Sequence, residues 1–170
     1  MKVRILLYFI ALLLLESGCF SLRYDFKGGV SIDPKIKTFS VQYFDNKATL
    51  VEPLFSQTFT EELKQFIENN TNLRLVNGRG DVDFSGFVQT YRITPQAITS
   101  GETASKTRFT IGVKVKYSNN INPDDEFDQT FSQFREFESS TSFNTLESEL
   151  SKEIREEIIE QVFNAAFVNW

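Results

Sequence analysis

Few side chains in this sequence are able to do covalent chemistry. The chain has 170 residues, no histidine and one cysteine, Cys19. Without histidine there is no Ser–His or Cys–His nucleophile pair and no imidazole-ligated metal. One cysteine makes no internal disulfide and no thiolate cluster for zinc or iron–sulfur. Carboxylates, lysines, tyrosines and serines remain, in no recognisable catalytic constellation. Glu149, Glu153, Glu156, Glu157 and Glu160 read as one solvated helix side and not as an acid–base pair. Asp124, Asp125, Glu126 and Asp128 are dense, but they lack the spacing and turn glycine of a calcium loop. The expectation is a protein that is not an enzyme and takes no metal or cofactor.

Two other sets of residues carry chemistry. The first is Cys19. Lys2 and Arg4 precede an apolar run from Ile5 to Leu15, too short to span a bilayer comfortably but suited to a secretory signal. Ser17-Gly18-Cys19 then resembles a bacterial lipobox, in which the cysteine is acylated and becomes the new N-terminus. Glu16 departs from that pattern, which prefers an apolar residue. The alternative is an ordinary signal peptide with an incidental cysteine. Several acyl chains on one residue anchor a protein firmly, whereas one holds weakly. Residues 1–18 therefore read as a lipoprotein signal peptide and residues 19–33 as a lipidated tether, with one domain over 34–170. No Asp stands at the position next to Cys19 and no acidic run follows it, which points to the inner leaflet of the outer membrane, on its periplasmic side.

The second set is Lys106, Arg108, Lys114 and Lys116. These four cations lie on or beside one strand face of a chain whose net charge is −5. Such a row suits phosphate groups, through charge-assisted hydrogen bonds. The alternative is a solvated strand face on which lysine deters edge-to-edge pairing. The acidic total argues against nucleic acid as a partner.

The element that positions this row is the stretch from Arg108 to Tyr117. Phe109, Ile111, Val113, Val115 and Tyr117 alternate with Arg108, Thr110, Gly112, Lys114 and Lys116, the period of a half-buried strand. Another strand is predicted over 36–44, with Phe39, Val41 and Tyr43 inward and Asp45-Asn46 as a turn. A helix follows, with Pro53 in its first turn and Phe55, Phe59, Leu63, Phe66 and Ile67 as its stripe. The strand over 82–93 changes phase between Phe84 and Phe87, which implies either two covered faces or a bulge near Gly86. The last strand, 126–137, has Phe127, Phe131 and Phe137 in one phase. Phe134 is out of phase, through a bulge near Gln133 or by facing outward. A long helix, about 145–169, closes the chain, with Asn144 and Glu147 at capping-box spacing. Its stripe is Leu146, Leu150, Ile154, Ile158, Val162 and Ala165. The order strand–helix–strand–strand–strand–helix gives an α+β two-layer sandwich: a mixed four-stranded sheet with both helices on one face.

Thr38-Phe-Ser-Val-Gln-Tyr-Phe-Asp-Asn46, Gly101-Glu-Thr-Ala104 with Arg108–Lys116, Phe131-Ser-Gln-Phe134 and the terminal Asn169-Trp170 together resemble the LptE family as it occurs in Bacteroidetes. The order and spacing of these stretches carry the likeness, which covers nearly the whole mature chain. The resemblance implies an outer-membrane lipoprotein that plugs and helps assemble the β-barrel of LptD. That pair inserts lipopolysaccharide into the outer leaflet. It further implies that the basic row could meet lipid A phosphates, and that the polar stretch Ser100–Thr107 could reach the barrel wall. The competing reading is a periplasmic lipoprotein adaptor that binds a protein or peptidoglycan partner without a barrel.

Overall fold

The computed structural model describes residues 32–50, 52–96 and 105–168. Cys19 and Trp170 lie outside these residues, as does most of the polar stretch Ser100–Thr107. The described elements are β1 (Thr38–Val41), β2 (Asp45–Asn46), α1 (Phe55–Asn70), β3 (Arg74–Leu75), β4 (Val82–Pro95), β5 (Lys106–Asn119), β6 (Phe127–Glu138) and α2 (Phe143–Phe167), with a short 3-10 turn at Pro123–Asp125. They form one mixed sheet in the order β3-β1-β4-β5-β6, with β2 also paired to β4. β1, β2 and β3 pair in parallel, and β4, β5 and β6 form an antiparallel meander. The α+β class and the two helices agree with the sequence reading. The sheet, however, has six strands where four were expected.

Both extra strands are two residues long. β3 pairs Arg74 and Leu75 with Thr38 and Phe39, in a segment too short to show a period. β2 arises because the first predicted strand is interrupted. Val41 pairs with Phe84 but Asp45 pairs with Phe87, so one extra residue sits on the β1–β2 side. That residue resets the phase: Phe44 enters the core, while Tyr43 is 56% exposed. The expected turn at Asp45-Asn46 is therefore a strand bridge. The interruption frees the Phe44 N–H, which donates to Thr60 Oγ1 on α1 at 3.2 Å, so no buried donor is left unpaired. Gly86 lies beside this place. A Cβ there would come within 2.0 Å of the Lys114 carbonyl oxygen and 2.8 Å of Phe44 Cε1. Only glycine lets the backbone and the Phe44 ring approach so closely.

The other phase changes have specific causes. The bulge in β4 is at Gln89, between Val88 and Thr90, and not near Gly86. It turns Val82, Phe84 and Val88 to the core before it, and Tyr91 after it. β6 pairs with β5 through all its residues without a shift, so Phe134 simply faces outward. Phe109, Ile111, Val113, Val115 and Tyr117 of β5 are all buried under the helices. Full burial of an apolar side chain of this size contributes about 1.5–3 kcal/mol. Aromatic edges join the layers: Phe55 meets Tyr91 at 5.8 Å, Phe109 meets Phe143 at 4.9 Å, and Phe163 meets Phe66 at 5.2 Å.

Polar contacts set where the helices lie. Arg155 of α2 clasps Glu62 of α1 through Nε at 2.6 Å and Nη2 at 2.9 Å. Arg135 of β6 reaches Glu153 at 2.8 Å and Glu157 at 3.0 Å. The Glu-rich side of α2 is thus partly a clamp and not only a wet surface. Tyr91 O–H donates to Glu147 Oε1 at 2.8 Å. The expected capping box does not form: Ser142 is the N-cap, without a side-chain cap hydrogen bond, and Glu147 turns inward to Tyr91.

Candidate functional site

The sheet has a second face that neither described helix covers. β5 crosses it between β4 and β6, and its outward residues include Lys106, Arg108, Thr110, Gly112, Lys114 and Lys116. The four predicted cations do share one face. What the sequence did not reveal is the strand beside them. Register sets Lys106 against Glu138, Arg108 against Glu136, Lys114 against Thr130 and Lys116 against Asp128. Arg108 Nη2 and Nε lie 2.7 and 3.1 Å from Glu136 Oε1, and its guanidinium stacks 4.2 Å from the centre of the Phe134 ring. Lys114 Nζ is 3.3 Å from Asp128 Oδ1. Arg108 and Lys114 are therefore already matched, and such exposed pairs contribute about 0–1 kcal/mol each. The signal that could have found them is the parity of Asp128, Glu136 and Glu138 on the next strand. Using it required the hairpin register.

Lys116 is different. It is exposed and forms no ion pair among the described residues. It lines one end of a polar cleft of about 630 Å³ with Ser40, Gln42, Arg79, Asp83 and Ser118. Asp83 is buried there, and both its oxygens are occupied: Ser40 Oγ donates at 2.6 Å and Gln42 Nε2 at 3.0 Å. Ser40 Oγ in turn accepts from the Gly80 N–H at 2.9 Å. The carboxylate is held as part of the wall, and the free charge at the rim is cationic. This arrangement offers no nucleophile–base pair among the described residues.

Four groups outside the cleft have displaced proton affinities. The Lys37 N–H, then the hydroxyl and N–H of Thr38, hold the Asp81 carboxyl below the usual range. Burial, then the Glu147 hydrogen bond, pushes the Tyr91 phenol up, and burial does the same to Tyr117. The Glu153 hydrogen bond raises Arg135 further. All four shifts lead away from neutral pH, the opposite of what a general acid or base needs. The 3-10 turn carries Asp124 and Asp125, and among the described residues no group of three or more acidic, thiol or imidazole side chains is placed to hold a metal ion.

Residues 36–166 match the LptE family, described as lipopolysaccharide-assembly. The chain belongs to the LptE family. The match spans the sheet and both helices. It makes the chain a lipoprotein of lipopolysaccharide assembly, in a family that is not catalytic. Among solved structures, an uncharacterised lipoprotein B from Nitrosomonas europaea is 12% identical, with a TM-score of 0.52, over 75% of this chain and 79% of that one. A putative neuraminyllactose-binding hemagglutinin homolog from Helicobacter pylori is 9% identical, with a TM-score of 0.50, over 82% and 87%. At these identities the likeness is one of fold alone. A comparison with curated proteins gives no match.

Proposed function

We propose that this LptE-family protein works as the lipid-anchored partner of an LptD-type outer-membrane β-barrel, seated in the barrel lumen and engaged in lipopolysaccharide insertion. The family match over residues 36–166 is the observation that carries this reading. The described fold supports it, with a rigid helix-backed core and one open sheet face. Cys19, acylated, is the membrane anchor on the periplasmic side. Lys106, Arg108, Lys114 and Lys116 are the lipopolysaccharide-facing residues. Within that set Lys116 is the principal contact, because its ammonium is not already matched by a carboxylate of β6.

Purification of the native protein from outer membranes tests the partnership. A stable complex with a large barrel protein is expected, and a solitary, unacylated chain would overturn it. Cys19→Ser is expected to abolish palmitate labelling and release the protein from the membrane. Lys114→Glu with Lys116→Glu tests the basic row. Lipopolysaccharide affinity is expected to fall about tenfold or more, since each reversed charge removes a charge-assisted contact and adds repulsion. Unchanged affinity would remove these residues from the role and leave the barrel partnership standing.

A further inference from the structure

The two edges of the sheet are unequal. One is β3, two residues long. The other is β6, a strand of twelve residues with no proline, no lysine and no bulge. A strand this long and regular, left open, is a template for pairing unless something covers it. Its free hydrogen-bonding groups can be assigned. The Ser139 N–H donates to the Ser105 carbonyl at 2.9 Å, one step beyond the pair Lys106–Glu138. Antiparallel ladders alternate, so odd-numbered residues of β6 spend their N–H and C=O groups on β5. Asp128, Thr130, Ser132, Phe134, Glu136 and Glu138 turn theirs to the open edge, where two carbonyls are already engaged: that of Phe134 accepts from Arg135 Nη1 at 3.0 Å and that of Glu138 from the Thr141 N–H at 2.9 Å. The same six residues carry the side chains on the uncovered face.

Two further observations describe what would fit. On the helix side, Phe131, Phe137, Phe143 and Leu150 are only partly buried, whereas the neighbouring residues of β5 are wholly so. The apolar layer stops short at this margin. On the open face, β6 carries three carboxylates and no cation. Glu136 meets Arg108 through Oε1 alone, and Asp128 meets Lys114 through Oδ1 alone. The second oxygen of each has no partner among the described residues.

We propose that the free edge of β6 accepts an extended segment of another protein as a seventh strand. That segment has Lys or Arg at alternate positions beside Asp128, Glu136 and Glu138, and apolar residues on the α2 side. Main-chain hydrogen bonds hold such a strand, and alternate side chains select it. A second copy of this chain is a poor occupant. Self-pairing of β6 offers its outward carboxylates only carboxylates or neutral residues, because its one cation, Arg135, is on the helix side with Glu153 and Glu157. The inference stands apart from lipopolysaccharide binding by the basic row, and either can fail without the other.

The probe is an alternating Lys–Val peptide as long as β6, with a Glu–Val peptide as control, titrated into the full chain in detergent. Saturable binding of the Lys–Val peptide is expected, with the Glu–Val peptide about tenfold weaker or more, since like charges placed opposite destabilise a strand pair. Ser132→Pro removes an outward N–H and keeps the backbone ladder to β5, losing besides it only the hydrogen bond from Ser132 Oγ to the Ile111 carbonyl, so it is expected to abolish binding with only a small drop in the thermal melt. Amide exchange gives an independent reading on the unaltered chain. Even-numbered amides of β6 should exchange fast alone and slowly with peptide, and odd-numbered ones slowly in both. Binding that survives in Ser132→Pro, or no gain of protection at the even-numbered amides, overturns the proposal. So does a dimer of the full chain that Ser132→Pro dissolves, which would assign the edge to a second copy. If Ser132→Pro does not fold, Thr130→Pro and the exchange experiment decide the matter.

Discussion

β5 has two faces that differ in everything but their backbone. On one, Phe109, Ile111, Val113, Val115 and Tyr117 are sealed beneath two helices. On the other, Arg108 and Lys114 stand beside the carboxylates of β6, and Lys116 stands alone at a cleft. The first face holds the molecule together and the second leaves it something to bind with. Energetically they are far apart. Losing a buried aromatic costs several kcal/mol, whereas an exposed ion pair contributes less than about 1 kcal/mol. The open face is therefore free to carry function, because its composition hardly matters to folding.

Substitutions can break or sharpen this contrast. The largest effect is expected from Phe109→Ala, about 3–5 kcal/mol in urea unfolding. The ring packs on Tyr91 at 4.9 Å as well as on Phe143, and its loss opens the joint between β5 and α2. A cost below about 1 kcal/mol would mean that the helix-covered face is loosely packed.

Asp81 comes next, because it links the two ends of a parallel crossover. Its Oδ2 accepts from Lys37 N, Thr38 N and Thr38 Oγ1, each at 2.9 Å. Its carboxyl titrates below the usual value, so the sign is fixed. The stabilisation is present in full above the unfolded pKa of about 3.9 and disappears as pH falls through the lower folded value. Unfolding measured from pH 6 down to pH 2 should show this loss in the native chain. Asp81→Asn should be less stable at neutral pH and show a shallower fall in acid, and an unchanged acid slope would contradict the assignment.

The smallest effect is expected on the open face. Arg108→Ala should cost about 1 kcal/mol or less, the sum of an exposed ion pair and a cation–π contact with Phe134. A double-mutant cycle with Glu136→Ala measures the coupling directly. A value above about 2 kcal/mol would make this face structural, like the buried one.

The regular parts of the fold were readable because they repeat. β5 has ten successive residues in strict alternation, and its inward and outward sets are those observed. α1 was equally plain from Phe55, Phe59, Leu63 and Ile67, all buried. The failures fall where a single residue breaks the repeat. Phe39, Tyr43 and Phe44 are compatible with two phases, and only the pairing with β4 decides for Phe44. Gln89 is polar and gives no sign of a bulge, so the sequence offers only two covered faces or the nearby glycine as the cause of the phase change in β4. Arg74 and Leu75 form a strand because Thr38 and Phe39 lie beside them, which no local pattern conveys. The site divides in the same way. The cations share a face by parity alone, but their neutralisation depends on a register set across the loop between Asn119 and Phe127.

The parallel pairing of β1 with β4 has a kinetic corollary. Phe39 and Val82 meet only after the intervening chain, with its helix, has closed a long loop, whereas β4, β5 and β6 join through neighbouring hairpins. Distant contacts form late. The meander is thus expected to gain its slow-exchanging amides early in refolding, with Phe39 and Phe44 arriving last. Pulse labelling during refolding would reveal that sequence of events. An early β1 would mean that the crossover nucleates the molecule.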